Sequence, residues 1–292
     1  MLEKQSLFTA PFPALAPRNI SRAVRRGLVA ALLLTSSHLV FAATELAPQL
    51  AGSFGTGDGA NGRFLKIDDA WHASTVVWAA RDPNPIGTYS WGSGLWGRAD
   101  FNTVQQAFLG GGGPAIQSHW SGLVPGINFA DSEYNNLYSG AWGAATLAPH
   151  LNSAASEDNW TSLFSGFIRI TQPGDYNFSV LNDDGFFFRL VGQGGQSLEI
   201  GRDFLNPRER NGFDQDLALS EGLYGFELGA WDRIEAGVVD LRWQLPGQET
   251  WTLVPTEHLV SAVPDAPTLT LAALGLLLIT TATRRRTRAA AT

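Results

Sequence analysis

The sequence predicts an all-β protein, an antiparallel sandwich or barrel, and three observations carry that prediction. Short β-prone runs recur about every ten residues and are closed by turn chemistry. Phe167 to Ile170 is followed by Gln172-Pro173-Gly174-Asp175, Tyr176 to Leu181 by Asp183-Asp184-Gly185, and Phe186 to Val191 by Gly192 to Gly195. Leu223 to Leu228 and Val238 to Trp243, the latter before Pro246-Gly247, continue the series. Within one run Tyr176, Phe178 and Val180 alternate with Asn177 and Ser179, the two-residue period of a strand with one buried face. Finally, 32 glycines, 10 tryptophans and 17 phenylalanines against 16% charged residues describe a turn-rich, aromatic-cored chain.

The N-terminus reads as an export signal over residues 1–42. Arg22, Arg25 and Arg26 form a basic start, Gly27 to Phe41 an apolar run, and Val40-Phe41-Ala42 a cleavage site. Residues 43–122 read as a Gly- and Trp-rich segment of loops, one strand and one short helix. Ser74 to Trp78 is the strand, Pro83-Asn84-Pro85 a turn, and Trp91 and Trp96 sit among glycines. Asp100 is placed to cap a helix that shows Phe101, Val104 and Phe108 on one face and stops at Gly110. The glycines from Gly110 to Gly113 mark a joint, and residues 123–260 form the β domain.

Residues 261–292 read as a second targeting element. Val263-Pro264-Asp265-Ala266-Pro267 leads into a mostly apolar helix over 266–283, and Arg284-Arg285-Arg286 closes it. The arginines hold that end on the cytoplasmic side of a membrane. Without these termini the body carries 11 Lys and Arg against 25 Asp and Glu, a net charge of −14. A body so acidic repels nucleic acid and anionic lipid and suits cations or neutral ligands. The chain has no cysteine, which excludes disulfides, thiolate metal centres and cysteine nucleophiles. His72, His119, His150 and His258 lack zinc-site spacing, and the Gly-x-Ser-x-Gly elbow of serine hydrolases is absent.

The tail resembles the PEP-CTERM class of bacterial sorting signals on Val263, Pro264, Asp265 and Pro267, the helix, and Arg284 to Arg286. It has Asp265 for the usual Glu and an inserted Ala266. The resemblance implies an exosortase-type processing enzyme as partner, passage through the membrane on the C-terminal helix, and a destination at the surface or outside a Gram-negative cell.

The β region resembles the protective-antigen domain family. The pieces that match, in the family's order, are Trp160 to Ile170, then Pro173-Gly174-Asp175-Tyr176-Asn177-Phe178 and Asn182-Asp183-Asp184-Gly185. Ser220-Glu221-Gly222-Leu223-Tyr224, Val239 to Trp243, and Pro246-Gly247 with Val254-Pro255 follow. The resemblance implies a jelly-roll type β-sandwich and a non-catalytic domain that binds glycan or exopolysaccharide. It also implies that Asp183 and Asp184 hold one Ca²⁺ across a cis peptide.

Adjacent strand residues point to opposite faces, so regular β geometry cannot aim both carboxylates at one ion. Calcium also takes six to eight oxygens, so a second loop must contribute. The loop Trp231 to Gly237 offers Asp232 and Glu235 as carboxylates and Trp231 as a ring to stack on a sugar. A purely structural Asp-Asp-Gly turn in a matrix module without a ligand stands beside this reading, and a glycoside hydrolase is the third. Phe186-Phe187-Phe188 is expected to give core positions and one exposed ring.

Overall fold

A computed structural model of the chain describes residues 43–52, 57–71, 93–151 and 156–261. The export signal, the strand at 74–78, Trp91, His72 and the sorting motif from Val263 to Arg286 lie outside the described residues. No helix among the described residues is long and apolar enough to cross a membrane.

The described residues are all-β in class, with two eight-stranded sheets, three short α-helices and two 3₁₀ turns. In chain order the strands begin with β1 (Thr44–Leu46), β2 (Leu50–Ala51), β3 (Ala60–Ile67), β4 (Ile116–Val124) and β5 (Asn128–Ala130). Next come β6 (Thr146–Leu147), β7 (Trp160–Ile170), β8 (Gly174–Asp183), β9 (Gly185–Val191), β10 (Ser197–Arg202) and β11 (Glu209–Gly212). The last are β12 (Leu217–Leu219), β13 (Gly222–Asp232), β14 (Val238–Gln244), β15 (Thr252–Leu253) and β16 (Leu259–Val260). The helices are α1 (Arg98–Phe108), α2 (Ser132–Leu137) and α3 (Ser139–Trp142).

The first sheet runs β1-β12-β8-β14-β5-β6, with β11 against β8 and β15 against β14. The second runs β10-β9-β13-β7-β3-β4, with β16 against β7 and β2 against β13. The expected strands fall inside β7, β8, β9, β13 and β14. The expected division near residue 122 is absent: β3 and β4 pair with each other, and β3 pairs with β7 through six residues from Asn61 to Lys66. Residues of the presumed loose segment thus supply a third of the second sheet's main path.

Side-chain alternation decides what fills the interior. Tyr176, Phe178 and Val180 of β8 meet Phe186, Phe188 and Leu190 of β9 and Phe164, Ile168 and Leu228 in one buried cluster between the sheets. Phe187 points the other way. It is buried all the same, because α1 covers that outer face with Phe101 and Val104, in a second cluster with Leu65 and Trp231. Phe101 meets Phe187 edge-on at 5.4 Å, and the Arg98 guanidinium lies 4.0 Å above the same ring. The expectation of one exposed phenylalanine fails for that reason.

Helix α1 is where the apolar spacing puts it, but it starts at Arg98 after Gly97. Asp100 sits inside the first turn, where its carboxylate accepts a bond from the Trp96 N–H at 2.9 Å. A carboxylate there complements the helix dipole without being the cap residue.

Candidate functional site

Three chain crossings build the site. Each leaves one sheet and enters the other: β8 to β9 at Asp183-Asp184-Gly185, β10 to β11 through 203–208, and β13 to β14 through 233–237. All three line one cleft of about 420 Å³, with Tyr138 completing its wall. Its other lining residues include Asn206, Arg208, Arg233, Ile234 and Glu235.

The Asp183–Asp184 peptide is cis, the geometry implied for this pair. The corner is held by backbone bonds on both sides. The Asp184 N–H donates to the Trp231 carbonyl at 3.0 Å, and the Asp184 carbonyl accepts from the Asn206 N–H at 3.2 Å and the Asn182 amide at 3.1 Å. Gly185 has to be glycine here, because an added Cβ would run into the Trp231 ring and the Arg202 carbonyl.

The two carboxylates have different partners. Asp184, 8% exposed, accepts a bond from the Arg233 backbone N–H at 2.8 Å. Burial pushes its carboxyl up to about 7, with the Arg233 N–H opposing and Asp183 adding to the rise. Asp183 accepts from Arg208 Nη2 at 2.7 Å, and the same nitrogen donates to the Ala236 carbonyl at 3.0 Å. Burial lifts Asp183 to about 6 even with the Arg208 charge beside it. The Arg208 guanidinium lies 3.7 Å from the centroid of the Tyr138 ring, within cation–π range.

Asp232 lies behind this corner, fully buried, and neither of its carboxylate oxygens has a hydrogen-bond partner. Burial, together with the charges of Asp184, Asp131 and Asp158, raises its carboxyl far above the usual range. Glu235 is exposed on the cleft wall and takes a left-handed backbone, φ 66°. Trp231, expected to stack on a sugar, is buried away from the cleft. It is 1% exposed, packs on Phe101 beneath α1, and its Nε1–H donates to the Phe204 carbonyl at 3.2 Å. The aromatic ring at the cleft is Tyr138 instead, with Phe204 and Ile234 as exposed apolar groups of the two neighbouring loops.

Whether calcium suits these residues turns on the oxygens. Two buried carboxylate oxygens without a partner on Asp232, next to the Asp184 carboxylate, have the hardness and charge that calcium prefers. Asp183 has the right chemistry but is already paired with Arg208. Among the described residues no group of three His, Cys, Asp or Glu side chains is placed to hold a metal ion. Asp184 and Asp232 carry oxygens of the chemistry calcium takes, while the Asp183 carboxylate is engaged by Arg208.

The structure is similar to the A domain of epithelial adhesin 6 from Candida glabrata, solved in complex with Galβ1-3GlcNAc. Identity is 12%, the TM-score 0.48, and the match covers 77% of this chain and 96% of that one. A PA14 sugar-binding domain from an RTX adhesin matches at 15% identity and TM-score 0.43, over 70% of this chain and 99% of that one. The PA14 domain of the MpAFP antifreeze protein matches at 14% and 0.41, over 74% and 98%. An anti-sigma factor domain-containing protein matches at 13% and 0.40, and there the match covers 70% of this chain but only 49% of that one. No family model matches the chain, and no curated protein does.

Sequence reasoning missed Arg208, Tyr138 and Asn206. Asn206-Pro207 was a readable turn signal, and it does mark the second crossing. Nothing local to Arg208 announces that its guanidinium reaches an aspartate 25 residues earlier.

Proposed function

We propose that this protein is an exported, non-catalytic carbohydrate- or matrix-binding protein of the cell surface, and that its ligand seats in the cleft at Asp183-Asp184. One observation carries the reading. A single open cleft gathers paired carboxylates, the Asn206 amide, two arginines and the Tyr138 ring at the meeting point of three crossings. Sugars present vicinal hydroxyls and a flat C–H face. Carboxylates and amides accept and donate to the hydroxyls, and an aromatic ring covers the C–H face. The cleft also has the few convergent polar groups that ligand sites use to fix orientation.

Calcium belongs to the same reading. Asp184 and Asp232 would hold it, with Asp183 as a third carboxylate, and when bound it would offer a hard positive partner to sugar hydroxyls. The chain's own residues do the rest: the Arg233 N–H orients Asp184, and the Trp231 carbonyl and Asn206 N–H fix the corner. Export on residues 1–42 and sorting through Val263 to Arg286 by an exosortase-type enzyme complete the proposal.

The test is a glycan array probed with the purified protein, its Asp184→Asn variant and its Tyr138→Ala variant. Binding by the wild type that drops at least about tenfold in both variants is expected, the size of one lost charge-assisted bond or stacking contact. Wild-type binding retained by both variants places recognition elsewhere. Absence of any binding favours the ligand-free matrix module.

A further inference from the structure

We infer that Arg208 is the built-in counter-cation of the aspartate corner, so that Asp183 becomes available to a divalent cation only as Arg208 withdraws. The inference rests on the calcium reading above and adds to it a competitor supplied by the chain itself.

The geometry around Arg208 is specific. A single nitrogen, Nη2, bonds both the Asp183 carboxylate and the Ala236 carbonyl, tying the second crossing to the first and the third. The side chains of Arg208 and Asp183 are only 11% and 15% exposed, so water screens the pair weakly. Tyr138 supports the guanidinium from one face. Yet the seat is incomplete, because the buried Arg208 Nε has no partner. An arginine with an unmade buried bond is held less firmly than its ion pair alone suggests.

Asp232 supplies the opposing half. Its two buried oxygens have no hydrogen-bond partner, and the Arg208 bonds go to Asp183 and the Ala236 carbonyl instead. Like charges within a few ångströms of one another in a poorly screened cleft repel, so Arg208 on Asp183 and a divalent cation on that same carboxylate exclude each other. A protein whose binding-competent form is a minority shows an affinity reduced by that fraction. Arg208 therefore sets the threshold concentration at which the corner takes up metal.

The experiment measures metal binding directly, by calorimetry with calcium chloride and by terbium luminescence. The proteins are wild type, Arg208→Gln, Arg208→Lys and Tyr138→Ala. Arg208→Gln is expected to bind calcium about tenfold more tightly than wild type, as when the competent fraction rises from roughly a tenth to nearly all. Arg208→Lys keeps a charge beside Asp183 and should stay near wild type. Tyr138→Ala removes the ring beneath the guanidinium and leaves the charge; it should tighten binding by a smaller factor, and it serves if Arg208→Gln does not fold. Metal binding that is equal or weaker in both Arg208→Gln and Tyr138→Ala overturns the competition and leaves the calcium reading standing. So does Arg208→Lys binding as tightly as Arg208→Gln. No metal uptake by wild type or by any variant overturns both.

Discussion

Asp131 shows what burial does to a single carboxyl in this molecule. It caps α2, its side chain accepting from the Tyr134 N–H at 2.7 Å and from the Gly237 N–H, yet burial still raises it to about 7. An unfolded aspartate titrates near 3.9. The folded chain therefore holds a proton that the unfolded chain has released between about pH 4 and pH 7. The sign follows: this group's contribution is complete below the unfolded value and is lost as pH rises through the folded one. Urea unfolding in chelator at pH 5 and pH 8 should show wild type losing stability toward pH 8. Asp131→Asn, which can still cap the helix, should flatten that loss by on the order of 1 kcal/mol or more. An unchanged slope would falsify the burial argument. At this scale the types and spacing of Asp183, Asp184 and Asp232, which the fold brings to one corner, are visible in a line of text. The sequence was a poor guide to Trp231 and Arg208. Trp231 reads as a platform because it opens a polar loop, but it is still in β13, paired with Gly185, and there its ring meets the underside of α1. Arg208 acts across the sandwich, where no local pattern reaches.

Helix α1 is the clearest case of an element whose existence was legible and whose purpose was not. Phe101 and Val104 announce an apolar face, but the surface that receives it is composed of Leu65 from β3, Phe187 from β9 and Trp231 from β13. Three strands distant in sequence must first pair before that surface exists. The glycine at position 229 belongs to the same joint, since a Cβ there would collide with the Phe187 and Phe101 rings. Truncating a buried phenylalanine removes its transfer energy and leaves a cavity. Phe101→Ala is therefore expected to lower unfolding free energy by about 3–5 kcal/mol, read from the urea midpoint. A loss under ~1 kcal/mol would mean that α1 is a bystander on the sheet. β3 and β4 escaped notice for a related reason. β4 exposes most of its side chains, and the glycines flanking both strands read as loop. Their pairing, not their composition, makes them strands.

At the level of the whole chain, the acidic body and its two basic ends predict a processing history. The protein isolated from its source should begin at Ala43 and lack Arg284 to Arg288, as intact-mass measurement would show. A retained arginine tail would reduce the C-terminal segment to a plain anchor. The body also distributes its charges unevenly. Asp240, nearly buried, is met by both Arg210 and Arg242 at 3.0 Å, and neither arginine faces the cleft lining. Charge there is locked within the first sheet, while the cleft keeps Glu235 exposed. The two-sheet architecture was legible from the spacing of turns; that three turns would converge on one end was not, because it depends on which strands cross between sheets.

That convergence has a mechanical side. Each of the three crossings that form the cleft is anchored at one end in the first sheet and at the other in the second. A tug on anything gripped there is divided between β8, β11 and β14 on one side and β9, β10 and β13 on the other. No single hairpin can be peeled away without its neighbours, because β8 bonds to both β11 and β14, and β9 to both β10 and β13. The grip is built into the seam of the sandwich, where load runs into six strand ends at once rather than into one exposed loop.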